Sequence, residues 1–274
     1  MKLFITHSNG SVKSTENSES EGIINLMDRG SVIGIILGLA AIIGGNMIEG
    51  GRIDTIFQPT AALVVFGGTI GATLLSFPFS DIAKAIASLR YVFFYRRTDP
   101  EAVIRDAIRY AIMSRRNGLI ILEPEIAKIT NSFLARSLKL AVDGTSPNIL
   151  RDIMEQENMT YEEERRRIAK VYETAGGFAP TIGIVGAVLG LIHVMSNLSD
   201  PSKLGAGIAV AFVATIYGVG SANLFILPTA KKLVNVLNRD LALRDMMIEA
   251  VLGIQSGINP HYLEERLRVF VEKP

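Results

Sequence analysis

The chain has 274 residues, of which 49% are hydrophobic and 20% charged, and its formal net charge at pH 7 is +1. Its mean hydropathy is positive, which lies outside the ordinary range of soluble proteins. The nearly even charge excludes a basic nucleic-acid binder. The absence of cysteine excludes disulfides, thiolate nucleophiles and cysteine-bound metal. Composition therefore indicates a membrane protein.

Residues 1–29 are predicted to be a disordered N-terminal extension. Residues 1–26 are polar, with stretches such as SVKSTENSESEG, and they lack the apolar core of a secretory signal. Met27 comes immediately before the first apolar segment. The extension therefore has two equally good explanations: a translation start assigned upstream of Met27, or a functional tail.

Four apolar windows free of Asp, Glu, Lys and Arg follow one another along the chain, over residues 30–48, 55–80, 174–199 and 204–230. Each approaches or exceeds the roughly 20 residues needed to cross a bilayer. A turn with Gly50 and Gly51 joins the first two windows, which predicts an antiparallel hairpin over residues 30–80. Four such windows are rare among the buried helices of soluble proteins. The sequence therefore predicts an all-α, polytopic fold with four transmembrane helices.

Residues 81–176 are predicted to form a large helical cytoplasmic domain between the second and third spans. Apolar residues recur there at helical spacing, as in AVIRDAIRYAIM. The two short loops hold one cation each, Arg52 and Lys203, whereas the opposite ends of the spans are flanked by Lys84, Arg90, Arg96, Arg97, Lys170, Lys231 and Lys232. The positive-inside rule places that side, with a helical tail over residues 231–274, in the cytoplasm.

The last two windows are predicted to form a second transmembrane hairpin, over residues 177–230, in which one side of each helix is small. Small residues let membrane helices approach closely, and helix packing is assigned to Gly183, Gly186, Gly190 and Gly218. Because such faces need a partner surface, the sequence predicts a homo-oligomer that encloses the helices of a partner. Similar small surfaces in the first hairpin are offered by Gly34, Gly38, Gly67, Gly68 and Gly71.

Prolines and hydroxyls mark a possible polar path through this second hairpin. Pro180 is placed at the start of the third span and Pro228 at the finish of the fourth. Proline removes a backbone donor and makes a helix easier to bend, so the two residues are either gating elements or ordinary helix-end prolines. Thr181 and Thr215 place hydroxyls among the apolar residues.

None of the four windows contains Asp or Glu, although coupling a cation gradient to work normally requires a protonatable or cation-binding group at membrane depth. If the chain couples a cation gradient to work, it is therefore expected to borrow a carboxylate from another polypeptide. No His, Asp or Glu cluster has metal-ligand spacing and no phosphate-loop pattern is present, so no enzyme activity, cofactor or metal is predicted. His193, near the outer end of the third span, has either a packing role or a proton-relay role.

Several motifs, in one order, resemble the MotA-type flagellar stator subunits, which are relatives of the TolQ and ExbB energising proteins. They read IIGGNMIEGG, SRRNGLIILEPEI, APTIGIVGAVLGLIHVM and AVAFVATIYGVGSANLFILP, and the likeness covers most of the chain from about Met27 to the end. The resemblance implies the A subunit of a flagellar motor stator in the bacterial inner membrane. It also implies two partners, a rotor switch-complex protein and a MotB-type single-span subunit with a membrane Asp, two helices of which five A subunits surround.

A charged turn in the middle domain has two interpretations. Arg115 precedes Asn117-Gly118, a helix-ending signal, and Glu123-Pro124 opens the following helix. The residues alone favour a solvated turn with charges placed at helix ends. The resemblance implies instead that Arg115 and Glu123 act on the rotor, although Pro124 departs from some family members.

The transported ion is expected to be the proton, with sodium as the alternative. A sodium site favours hydroxyls on both pore-facing helices, and Ala187 stands where the resemblance to sodium-type relatives implies a threonine. Two other functions stay open. One is a TolQ- or ExbB-like motor subunit that energises the outer membrane, which the first hairpin disfavours because those relatives generally have three spans. The other is a scaffolding membrane protein without ion coupling.

Overall fold

The computed structural model describes residues 29–95, 98–196 and 201–271, and every regular element in these ranges is helical. Four stretches have the length and composition to cross a membrane, namely Gly30–Ile48, Ile53–Ser76, Pro147–Ser196 and Leu204–Gln255. The predicted all-α fold with four transmembrane helices is confirmed. The predicted extension, apart from Arg29, lies outside the described residues.

The helices, in chain order, are α1 (Arg29–Ile48), α2 (Ile53–Ile56), α3 (Pro59–Ala62), a first π turn (Leu63–Gly67), α4 (Gly68–Ser76), α5 (Phe79–Phe93), α6 (Pro100–Asn117), a 3₁₀ turn (Leu119–Leu122), α7 (Glu123–Ile126), α8 (Ser132–Val142), α9 (Pro147–Ser196), α10 (Pro201–Ser221), a second π turn (Ala222–Ile226), α11 (Leu227–Gln255) and α12 (Pro260–Arg268). They form two compact units. Of the described residues, 29–95, 168–196 and 201–232 form the membrane unit, and 98–167 and 233–271 form the charged unit.

The limits of these units differ from the predicted segments. The sequence separates the middle domain, residues 81–176, from the tail, residues 231–274, whereas the charged unit combines most of both. The reason is a shared apolar core to which both segments contribute fully buried side chains: Ile104, Leu122, Leu138, Leu150, Met154, Met246, Met247, Val251, Leu263 and Leu267. Because each contributes about 1.5–3 kcal/mol on burial, the tail is part of this core rather than a separate element.

Glu249 joins three helices of the charged unit. Its carboxylate accepts a hydrogen bond of 2.6 Å from Arg151 on α9 and a second, very short one from Arg266 on α12. The Glu249 side chain is only 15% exposed, so these contacts are better shielded from water than a surface ion pair. The hydrogen bond to Glu249 raises the pKa of Arg151. The contact with Glu249 therefore favours the charged form of Arg151.

Prolines set the limits of the second span. The window over residues 55–80 is predicted as one span, but its long helical run extends only from Pro59 to Ser76. Gln58, before Pro59, is extended with φ −121° and ψ 98°, and Phe77, before Pro78, has φ −134° and ψ 149°. A residue that precedes proline is disfavoured in the helical region by steric clash. The helix therefore breaks at both positions.

The glycines of the first two spans do not face one another. A Cβ added at Gly38 on α1 would lie 3.1 Å from Leu224 Cδ2 in the second π turn, and one at Gly68 would lie 2.8 Å from Ile182 Cγ2 on α9. Within the described residues, Gly34, Gly67 and Gly71 would meet no atom within 4 Å. The small surfaces of the first hairpin therefore contact the second hairpin or open space. The turn itself is as expected, with Gly50 at φ +81°.

Helix α5 packs against α9 inside the membrane unit. Ala85 on α5 is buried with Ile168 and Val171 of α9. The Tyr172 hydroxyl donates a hydrogen bond of 2.6 Å to the Ala85 carbonyl, which also accepts one from the Ser88 hydroxyl. The chain that follows the second span is thereby fixed to the helix that becomes the third span.

Candidate ion pathway and charged surface

The third span (residues 177–196) and the fourth span (residues 204–230) pack against each other through their small residues. A Cβ added at Gly218 would lie 2.5 Å from the Ala179 carbonyl oxygen and 3.0 Å from the Gly183 Cα. One added at Gly190 would lie 2.8 Å from the Ala211 backbone nitrogen, and one at Gly186 would lie 2.8 Å from the Ala214 Cβ. The two helix backbones therefore touch, and only glycine fits at these positions.

These contacts correct the reasoning behind the predicted homo-oligomer. The small faces need a partner surface, and that surface lies in the same chain. The sides of the two spans that point outward carry large apolar side chains, of which Ile184 is 58% and Phe212 69% exposed. Any partner or lipid therefore meets a bulky apolar surface rather than a glycine-lined one.

Pro180 lies inside a helix rather than at its start. Helix α9 continues without interruption through Pro180, from Pro147 to Ser196. A proline in a helix interior cannot donate to the carbonyl four residues earlier, which here belongs to Gly176. The interpretation of Pro180 as an ordinary helix-end proline is therefore wrong.

Pro228 lies two residues after the end of the second π turn, at the second position of α11. It cannot donate to the Leu224 carbonyl, and single π turns inside helices are among the places where helices kink. A Cβ added at Gly176 would lie 2.5 Å from Leu227 Cδ2. The two places where proline interrupts the backbone hydrogen bonds of the hairpin are therefore neighbours in space.

The predicted pathway residues differ in their surroundings. The Thr181 hydroxyl is exposed and donates to the Phe178 carbonyl at 2.8 Å, and the half-buried Thr215 hydroxyl lies 3.4 Å from the Ala211 carbonyl. Each hydroxyl proton is thus directed to its own helix, which leaves the oxygen lone pairs available to a cation or water. Ala187 is half-buried and offers no oxygen.

Three further polar residues of the membrane unit are missed by the sequence reasoning. Thr69 and Thr73 on α4 are buried and donate to the carbonyls of Val65 at 2.6 Å and of Thr69 at 2.7 Å. Their spacing of four residues is the signal that was available, since it puts both hydroxyls on one helix face. The third is Tyr217 on α10, whose hydroxyl contacts a segment about 160 residues away.

No acidic side chain occurs in the four apolar windows. Among the residues that the structure describes, no group of three or more His, Asp and Glu side chains is placed to hold a metal ion. His193 is exposed close to the end of α9. The four apolar windows therefore provide closely packed helices and hydroxyls, but not the carboxylate that an ion pathway needs.

The charged turn of the middle domain is exposed. Arg115 and Arg116 occupy the last turn of α6, which ends at Gly118 with φ +77°, and Glu123 begins α7. Pro124 falls in the first turn of α7, where proline is well accommodated because no helical donor is needed. Within the described ranges, neither Arg115 nor Glu123 forms an ion pair or a side-chain hydrogen bond. Their charges are available to another molecule.

Glu125, two residues further on, has the opposite environment. Lys128 donates to its carboxylate at 2.6 Å and Arg109 lies 3.7 Å away. The hydrogen bond from Lys128 lowers the pKa of Glu125. The stabilisation by this contact is present above the ordinary pKa of a glutamate and is lost as the pH falls through the lowered value. Glu125 therefore holds its own helix in place, whereas Glu123 does not.

Known proteins resemble this chain over nearly its whole length. A model of the MotA/TolQ/ExbB proton channel family matches residues 125–246, and a model described as motility protein A N-terminal matches residues 32–112. Motility protein A of Bacillus subtilis (strain 168) is 34% identical over 249 residues, which are 89% of this chain and 91% of that protein.

Two solved structures are similar to this one. The structure of C. jejuni MotAB has a TM-score of 0.86 and 31% identity, over 90% of this chain and 98% of that one. The flagellar MotAB stator complex from Bacillus subtilis has a TM-score of 0.83 and 34% identity, over 88% and 96% of the two chains. The chain therefore belongs to the MotA/TolQ/ExbB proton channel family, as a member of the motility protein A type.

Proposed function

We propose that this chain is the A subunit of a flagellar motor stator, which couples inward ion flow to torque on the rotor. The observation that supports this most strongly is a closely packed pair of membrane helices that carries hydroxyls and no carboxylate. Such a pair is incomplete as an ion pathway by itself. The similarity to chains of two MotAB structures indicates what completes it.

The missing carboxylate comes from a MotB-type single-span partner with a membrane Asp. Five copies of this chain around two partner helices are the arrangement that the family resemblance implies, and their outward apolar sides meet the partner, a neighbour or lipid. The short loops are poor in cations, whereas the opposite ends of the spans are rich in them. By the positive-inside rule, the charged unit lies in the cytoplasm and the chain in the bacterial inner membrane.

The proton is the ion that this hairpin suits. Sodium needs several oxygen ligands in place of its hydration shell, and Ala187 provides none on the third span. Proton transfer requires only water and the partner's carboxylate, and Thr215 orients either the water or the carboxylate. Sodium remains the alternative, because Thr181 or carbonyls near Pro180 supply further oxygens.

Co-purification tests the assembly. We expect tagged chain to bring down a one-span protein with a membrane Asp, and the reconstituted complex to take up protons. Replacing that Asp by Asn in the partner should preserve the complex and stop the flow, because the amide cannot carry a proton. A chain that purifies without such a partner, or a complex that conducts nothing, would favour the scaffolding function.

The TolQ/ExbB-like alternative is less well supported. Those relatives generally have three spans, whereas this chain has four helical stretches that can cross a membrane. The motility protein A N-terminal model also matches the segment that contains the first two spans.

Charge reversal at Glu123 tests the rotor contact. We expect Glu123→Lys to impair swimming while membrane insertion, partner binding and proton uptake stay normal, because Glu123 is exposed and forms no ion pair or side-chain hydrogen bond with the described residues. Each exposed pair with the rotor contributes less than about 1 kcal/mol, so several charges act together. The measurement is swimming speed beside proton uptake.

Glu163→Lys is the matched control, because Glu163 is also an exposed glutamate of the charged unit without an ion pair in the described residues. It should swim normally. Normal swimming of Glu123→Lys, alone and combined with Arg115→Glu, would show that these two residues are not the rotor contact.

A further inference from the structure

The start of the second span contains a backbone segment that no helix covers. Residues 57–58 lie between α2 and α3, and both are extended. The backbone groups of such a segment need hydrogen-bond partners, because unsatisfied ones are costly inside a membrane protein. Pro59 follows, so a helix over these residues is disfavoured.

One side chain satisfies one of these groups and also the carbonyl of the last residue of α2. The Tyr217 hydroxyl on α10 donates a hydrogen bond of 2.7 Å to the Ile56 carbonyl, and the Gln58 amide donates one of 3.2 Å to the Tyr217 hydroxyl oxygen. A phenol can donate one hydrogen bond and accept another, so both of its capacities are used on this segment. The Tyr217 ring also stacks on Phe66, with 5.8 Å between the ring centroids.

This contact lies beside the apolar seam between the second and fourth spans. Ala61 and Val65 of the second span are fully buried against Val213 and Ala214 of α10, and Tyr217 packs on this cluster. Apolar packing between two helices with small side chains at the contact holds them together but does not fix their register well. Hydrogen bonds to named backbone atoms fix it, because they have a direction and a length.

Tyr217 and Thr215 point to opposite sides of α10. At 3.6 residues per turn, positions two residues apart are separated by about 200° around a helix. The contacts that hold Tyr217 toward the second span therefore also set the direction in which Thr215 points.

We propose that Tyr217 is a positioning residue: its hydroxyl locks the non-helical start of the second span to the fourth span and so fixes the rotation at which Thr215 is presented. The role in the pathway rests on the proposed function, whereas the lock itself does not. The ring of Tyr217 makes the apolar and stacking contacts, and its hydroxyl makes the two hydrogen bonds. Tyr217→Phe therefore keeps the ring contacts and removes the hydrogen bonds.

Amide hydrogen exchange on the intact complex with its partner tests the lock. We expect Tyr217→Phe to make the amide of Gln58 exchange about fivefold faster or more, with the complex still assembled. Tyr172→Phe removes another Tyr hydroxyl of the membrane unit and should leave exchange at Gln58 unchanged. Equal exchange of Gln58 in wild type and Tyr217→Phe would overturn the proposal.

Proton uptake per assembled complex tests the positioning. A structural role alone would change the amount of complex, whereas a positioning role lowers the flow through each complex, and we expect a reduction of severalfold in Tyr217→Phe. Faster exchange with unchanged flow would overturn the positioning role. If the wild-type complex conducts nothing, the proposed function fails, and the exchange comparison still decides whether the hydroxyl holds the segment.

Discussion

We expect Gly218→Leu to abolish assembly of the stator complex. Even a Cβ at this position would lie 2.5 Å from the Ala179 carbonyl oxygen, and this neighbour is backbone, which cannot move aside as a flexible side chain does. A leucine must therefore push the third and fourth spans apart. Overpacking of this kind costs about 1–3 kcal/mol or more, and it also displaces the surfaces that meet the partner. Gly186→Leu, opposite Ala214, should act in the same way.

The control for this substitution is two residues away on the same helix. A Cβ at Gly220 would meet no atom within 4 Å in the described chain, so Gly220→Leu adds the same volume where the protomer has room. Native mass measurement of the purified complex compares the two. We expect intact complex for Gly220→Leu and dissociated subunits for Gly218→Leu. An intact complex in Gly218→Leu and Gly186→Leu would contradict the packing argument.

The second large effect is expected at the prolines. Pro180→Ala and Pro228→Ala restore backbone donors to the carbonyls of Gly176 and Leu224, and thereby strengthen two helix segments that lie next to each other. If these segments bend as an ion reaches the partner's carboxylate, the stiffer helices should assemble and insert normally but fail to turn the rotor. Rotation of tethered cells, together with the amount of assembled complex, is the measurement.

Pro260→Ala provides the comparison, because Pro260 begins α12, where a helix needs no donor. It should rotate at the wild-type rate. Full torque in both Pro180→Ala and Pro228→Ala would reduce these residues to a packing role, even though they lie within helices.

The spans were predictable because a bilayer demands length and the absence of charge, and both can be counted along a sequence. The absence of charge does not give the limits of the second span, since the window contains Pro59 and Pro78 near its ends and each proline disfavours helix at the residue before it. The helix-ending Gly118 indicates that the charges at Arg115 and Glu123 are exposed, but the absence of ion pairs to them in the described part of the chain depends on where neighbouring side chains lie.

The packing partners could not be predicted in the same way. Glycine spacing shows that a helix has a small face but not which helix meets it, and Gly218 contacts Gly183 of its own chain. The tail of the charged unit was missed as part of the core, because its contacts with the middle domain cross about 100 residues of sequence. Tyr217 was missed for the same reason, since its partners Ile56 and Gln58 belong to the first hairpin.

The most direct test of the account is the rotation of single motors in cells that lack every stator A subunit except this chain. We predict that its expression with the membrane-Asp partner restores rotation. Collapse of the proton gradient at a clamped sodium gradient should stop that rotation, and removal of sodium at a constant proton gradient should not. Motors that stay still although the complex is assembled in the membrane would contradict the stator function. Rotation that is lost when sodium is removed, returns when sodium is added and is unchanged by proton uncouplers would contradict the assignment of the proton as the transported ion.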